Sequence, residues 1–144
     1  TVQRLAGLDN IVGIKDATGD VERGRDLIEC VGQQIAIYSG DDPTSMELML
    51  AGGHGSISVT ANIVPDRVAQ LCRLSMAGDR QAATALNNTL VALNEALFVE
   101  ANPIPIKWAL YNKGLIEAGI RLPLTPLDEQ YREQVVAAME AVGI

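Results

Sequence analysis

Asn10-Ile-Val-Gly-Ile-Lys15 is a short apolar run that ends on a charged residue. Its hydrophobicity is continuous rather than alternating, which suits a parallel strand covered on both faces. Asp16-Ala-Thr-Gly-Asp20 then reads as a loop, with Asp20 a suitable N-cap. Val21, Leu27, Ile28 and Val31 mark one face of the helix that follows, and Gly32 closes it. Ile35-Ala-Ile-Tyr38 reads as a second strand running into Ser39-Gly-Asp-Asp42. The unit then repeats. Pro43 and Thr44 open a short helix over Ser45–Ala51, Gly52-Gly-His-Gly55 makes a turn, and Ser56-Ile-Ser-Val59 is a third strand. After the loop Thr60-Ala-Asn62, Pro65 occupies a first-turn position where proline is tolerated, and its helix runs to about Ala77. Strands alternating with helices through short loops predict right-handed βαβ units, an α/β chain with a parallel sheet.

After Gly78 the rhythm changes. Ala82, Leu86, Leu90, Leu93 and Leu97 fall at helical spacing between about Asp79 and Glu100. Asn102-Pro-Ile-Pro105 interrupts the chain, a helix follows to about Lys113, and Thr125-Pro126 is expected to cap a last helix reaching Ala141. Thr125 and Asp128 have the spacing of a capping box, with Asp in place of the usual Glu or Gln. No strand is expected beyond Val59. The reading divides the chain into residues 1–78, carrying the strands, and 79–144, carrying helices only.

The bulk numbers narrow the function. A net charge of −7 argues against a nucleic-acid footprint, which concentrates Lys and Arg. No run reaches the roughly 18–20 apolar residues of a membrane span. Cys30 and Cys72 lack metal-ligand spacing and are expected as buried or half-buried free thiols in a reducing, cytoplasmic compartment. Thr1 opens directly into a helix-like segment ending near Leu8, so the sequence reads as beginning in mid-fold. Three parallel strands also leave two edges unpaired and one apolar face uncovered. The chain is therefore expected to need further strands.

Lys15 is the residue that points to chemistry. The C-terminal ends of parallel strands are where barrel and doubly wound folds place their active sites. Burial there disfavours the ammonium and exposes a neutral amine able to attack a carbonyl. The alternative is a strand-end lysine that snorkels to solvent or pairs with Asp16.

Gly13-Ile-Lys-Asp-Ala-Thr-Gly19, Ser39-Gly-Asp-Asp42, Gly52-Gly-His-Gly-Ser-Ile-Ser-Val-Thr-Ala-Asn62 and Asn102-Pro-Ile-Pro-Ile-Lys-Trp-Ala109 stand in one order across the chain. That set resembles the dihydrodipicolinate synthases, of the pyruvate-dependent class I aldolase superfamily that also holds N-acetylneuraminate lyase. The resemblance implies the C-terminal half of a TIM (β/α)8 barrel, strands six to eight, followed by a helical extension. It implies that Lys15 forms a Schiff base with pyruvate, and that the derived enamine attacks aspartate semialdehyde. The product is 4-hydroxy-tetrahydrodipicolinate, on the route to diaminopimelate and lysine, with no metal or organic cofactor. Ile57 matches a residue whose main-chain carbonyl faces the pyruvate, and Gly40 a glycine lining the same pocket. Ile57 can equally be a plain core strand residue.

The resemblance further implies a homotetramer, a dimer of dimers, with Val21, Glu22 and Ala51 near its weaker contact. It also implies that strands one to five belong to a missing N-terminal half-barrel, without which the chain is inactive. The competing readings are another pyruvate-dependent aldolase, such as a neuraminate lyase, and an inactive half-barrel acting as an assembly module. Asp41-Asp42 reads as a hydrogen-bonded pair at a helix N-terminus rather than a metal site. His54 and the glycines around it read as a tight turn, and Lys107 and Trp108 as packing and salt-bridge residues.

Overall fold

Ile14 and Ile37 stand opposite each other in a three-stranded parallel sheet whose strands lie in chain order. The computed structural model describes residues 1–144. A first helical turn, α1 (Val2–Leu5), leads to β1 (Gly13–Asp16), α2 (Val21–Val31), β2 (Ala36–Ser39), α3 (Ser45–Leu50) and β3 (Gly55–Ser56). A 3-10 turn over Thr60–Asn62 precedes four helices: α4 (Pro65–Met76), α5 (Arg80–Ala96), α6 (Ile104–Asn112) and α7 (Glu129–Ala141). Both outer strands have one neighbour only, so the sheet has the two open edges expected from three strands.

Several boundaries differ from the sequence expectation, each for a local reason. β1 begins at Gly13 rather than Asn10, because Ile11 N–H turns back to Leu8 O and the pairing with β2 starts at Gly13 opposite Ala36. Val12 is left 77 % exposed. β3 covers Gly55–Ser56 instead of Ser56–Val59. Ile57 N–H still reaches Ser39 O at 2.8 Å, but Val59 N–H is drawn off to the Asp42 carboxylate at 2.9 Å. The expected loop at Thr60–Asn62 is the 3-10 turn. The last helix is capped by Asp128, whose side chain accepts from Gln130 N–H, and Thr125 lies before the helix. A carboxylate at N-cap meets the unpaired first-turn donors directly, and this displaced the boundary expected at Thr125.

Asp20 and Asp79 cap α2 and α5 in the same way, accepting from Arg23 and Ala82 N–H. Pro65 opens α4 where its missing donor costs nothing. Two apolar clusters result. Leu27, Val31, Ile35 and Ile37 form a small one between α2 and the sheet. The larger has eighteen buried residues running from Met46 on α3 to Val142 after α7. Leu90, Leu93 and Leu97 lie at its centre, each at most 1 % exposed. Truncating one of them to Ala would cost about 2–5 kcal/mol, the range for buried leucines. The helical half is thus the mechanical base on which the strand ends are mounted.

Candidate active site

Alternation along a strand sends neighbouring side chains to opposite faces. Ile14, Asp16, Ile37 and Ser39 take one face, and Asp16, Ile37 and Ser39 are buried there. Asp16 accepts from Thr18 N–H at 3.1 Å. Arg23 Nε stands 3.1 Å from its other carboxylate oxygen, close enough for an ion pair. The N–H is off line, so that oxygen has no hydrogen-bond donor. Gly13, Lys15, Ala36, Tyr38, Gly55 and Ile57 take the opposite face, which the start of α6 borders only at the Lys15 and Ile57 corner.

Lys15 therefore does not pair with Asp16, and its ammonium makes no salt bridge. It is exposed, contrary to the dry setting the sequence suggested. The cause is the uncovered face, since burial there would require a layer that this chain does not contain. The stem of Lys15 is nevertheless placed. A Cβ added at Gly40 would fall on Lys15 Cε and stand 2.8 Å from Lys15 Cγ and Ala17 Cβ. Gly40 is not in a left-handed conformation, so it is the approach of the lysine stem that requires glycine here. Its N–H donates to Asp16 O at 2.7 Å, which locks the end of β2 against the end of β1.

Ile57 lies just past the end of β3, 48 % exposed, and its carbonyl accepts no backbone hydrogen bond. Lys15 and Ile57 line one cavity of about 300 Å³ together with Asn62, Asn102, Ile106 and Lys107. The structure thus brings Lys15, Gly40 and Ile57 to one corner of the open face. Asn62, Asn102 and Lys107 were missed as cavity residues. Their only signal was membership of the quoted motifs, because the fold brings them in from the 3-10 turn and from the start of α6. Lys107 makes no salt bridge, which corrects the expectation for it, and Trp108 packs half-buried against the main core.

Each member of the acidic pair uses one carboxylate oxygen for two internal hydrogen bonds. Asp41 Oδ2 accepts from Thr44 N–H at 3.2 Å and from Thr44 Oγ1 at 2.6 Å. Asp42 Oδ2 accepts from Val59 and Thr60 N–H at 2.9 and 3.1 Å, holding the segment just after Ile57. His54 stands at the opening of β3, where Nδ1 accepts from Ile37 N–H at 3.1 Å and its own N–H donates to Ile37 O at 2.7 Å. Positive φ at Gly52 and Gly55 forms the tight turn around it. Cys30 is exposed on α2, not buried, whereas Cys72 is half-buried and burial pushes its thiol up. No helix is long and apolar enough to cross a membrane.

Comparison with known proteins adds a family to this geometry. The model of the dihydrodipicolinate synthetase family matches residues 1–142. The 4-hydroxy-tetrahydrodipicolinate synthase of Stutzerimonas stutzeri is 54% identical over 144 residues, 100% of this chain and 49% of that protein. That of Thioalkalivibrio sulfidiphilus is 56% identical over the same span, again 49% of its length. Among solved structures, the chloride-inhibited dihydrodipicolinate synthase of Acinetobacter baumannii in complex with pyruvate superposes with a TM-score of 0.96 at 56% identity. The match covers 99% of this chain and 49% of that one. The dihydrodipicolinate synthase of Aquifex aeolicus superposes with a TM-score of 0.92 at 32% identity, covering 96% and 48%. The chain spans about half the length of the curated relatives it matches. It belongs to the dihydrodipicolinate synthetase family.

Proposed function

We propose that this chain is the C-terminal half of a 4-hydroxy-tetrahydrodipicolinate synthase, barrel strands six to eight, and that Lys15 is its Schiff-base lysine. The observation that carries the reading is the fit of the Lys15 stem over Gly40, which aims a strand-end amine into the cavity shared with Ile57. The remaining strands would pair with the open edges of β1 and β3 and cover the uncovered face. Closing the ring removes water from around the amine, and a dry amine is the nucleophile.

The chemistry follows from the amine. Lys15 Nζ adds to the pyruvate ketone carbon and water leaves, giving a protonated imine that withdraws electrons from the adjacent methyl. Loss of a methyl proton gives the enamine, whose carbon forms the new bond to the aldehyde carbon of aspartate semialdehyde while the aldehyde oxygen takes a proton. Attack by the substrate's own amine on the imine carbon closes the ring and frees Lys15. The Ile57 carbonyl, without a backbone donor, is available to the imine nitrogen or to a substrate hydroxyl. No step asks for a metal or an organic cofactor. The assembled enzyme is a homotetramer in this reading, with Val21, Glu22 and Ala51 near a subunit contact, and works in the cytoplasm.

Trapping tests it. The assembled enzyme is incubated with pyruvate, reduced with borohydride, digested and read by mass spectrometry. An adduct on Lys15 is the expected result; adducts on Lys107 or Lys113 alone would overturn the assignment.

A further inference from the structure

Tyr38 is the register partner of Lys15 across β1 and β2, so the two side chains rise next to each other from the open face. The ring occupies a space left for it by both neighbouring strands. A Cβ added at Gly13 on β1 would stand 3.2 Å from Tyr38 Cε2, and one added at Gly55 on β3 would stand 3.4 Å from Cδ1. Gly13 precedes Lys15 by two residues on the same face, and Gly55 precedes Ile57 by two. One ring therefore spans the sheet directly below the two residues that line the cavity. A methyl at Gly13 would crowd the ring and Ala36 O, as one at Gly40 would crowd the lysine stem, whereas one at Gly55 would only touch the ring.

A free lysine side chain samples many rotamers, and an amine reacts efficiently only when held near its carbonyl carbon. The Gly40 backbone bounds the Lys15 stem on one side. A rigid aromatic ring with only two rotatable bonds rises beside it from the register partner on β2. We propose that Tyr38 is a positioning residue for Lys15, its ring forming the wall that holds the amine at the height of the cavity. This inference rests on Lys15 being the imine-forming residue. The ring and not the hydroxyl carries the role, since the fit to Gly13 and Gly55 is made by ring carbons.

The test is the rate constant for pyruvate-dependent borohydride inactivation of the assembled enzyme at saturating pyruvate. It is measured for the wild type, Tyr38→Ala, Tyr38→Leu and Tyr38→Phe, with the adduct mapped in each. That rate constant does not depend on how much of a sample is folded, so mere loss of folded protein lowers the amplitude and leaves it unmoved. We expect Tyr38→Ala and Tyr38→Leu to slow trapping by about tenfold or more. The half-saturating pyruvate concentration should stay unchanged, and Tyr38→Phe should restore the wild-type rate. Wild-type trapping at Lys15 with an undiminished rate in both truncated variants would overturn the positioning role alone. So would a Phe variant as slow as the Ala variant. Absence of a Lys15 adduct in the wild type would overturn the lysine assignment and this inference with it.

Discussion

Thr60 Oγ1 donates a 2.7 Å hydrogen bond to Asn94 Oδ1 inside the main core, joining the turn after β3 to the last turn of α5. Both residues are almost fully buried, at 1 % and 4 % exposure. The same Thr60 gives its N–H to Asp42. The segment that carries Ile57 is thus tied at its far end to the β2–α3 loop and to the helical core.

Breaking that tie should loosen the whole cavity wall. Asn94→Ala removes the acceptor and leaves a buried hydroxyl unpaired, which costs about 1–3 kcal/mol. Urea denaturation followed by circular dichroism measures the loss. An unchanged midpoint would mean that Thr60 finds another acceptor and that the bond contributes nothing.

Gly40→Ala separates placement of the lysine from stability. The methyl group would overlap the Lys15 stem and press on Ala17 Cβ at 2.8 Å. Displacing an amine by about 1 Å can cost on the order of 10²-fold in rate. The expected outcome is a loss of that order in pyruvate trapping, with a far-ultraviolet spectrum like the wild type's. Trapping at the native rate would show that the stem has room to swing aside.

Lys15 stood out in the sequence because a lysine closing an apolar parallel strand has few physical explanations, whereas Gly40 and Ile57 entered only through the resemblance. Short apolar or β-branched segments between turns located the three strands approximately, yet their lengths were misjudged, β3 most of all. Strand length depends on a neighbour to pair with, and β3 has one on a single side. The exposure of Lys15 follows from the uncovered face that three strands alone already implied, and from the snorkelling alternative. The cap at Asp128 could have been read, because Asp is as good an N-cap as Thr. The Thr60–Asn94 bond could not, as 34 residues separate its partners and neither segment names the other.

Glu47 on α3 and Arg80 at the start of α5 make a two-pronged contact, Nη1 to Oε1 at 2.6 Å and Nη2 to Oε2 at 3.0 Å. The Arg80 hydrogen bond holds the Glu47 carboxyl below its ordinary value of 4.5. A depressed folded value means that the pair stabilises the fold above pH 4.5 and stops doing so as pH falls through the lower folded value. Glu47→Gln should therefore lower Tm slightly at neutral pH, with the difference from the wild type closing in acid. Molar salt should shrink it as well, since both groups are partly exposed. A difference that grows on acidification would contradict the pairing.

The two cysteines should separate cleanly by alkylation. Burial raises the Cys72 thiol above its usual range, and only a thiolate attacks iodoacetamide. Cys30 is exposed and should be labelled first at neutral pH. Cys72 should follow only when the pH is raised or the protein is unfolded. Peptide mapping at pH 7 and pH 9 reads the order, and equal labelling of Cys72 at both values would show that its surroundings open readily.

Lys15 without its complement should be a poor catalyst. In this chain the amine faces an uncovered sheet, and an ammonium must give up its proton as well as its water before it can attack a ketone. Two strand edges with unpaired donors and acceptors further favour association over a free monomer. The 144-residue chain alone is expected to show no synthase turnover, and mixing it with a chain supplying the missing strands should restore activity in proportion to complex formed. A coupled assay across a titration of the second chain, with size-exclusion chromatography at each point, follows both quantities. Robust turnover by the single chain would mean that the exposed lysine is already activated, and that covering the open face has another purpose.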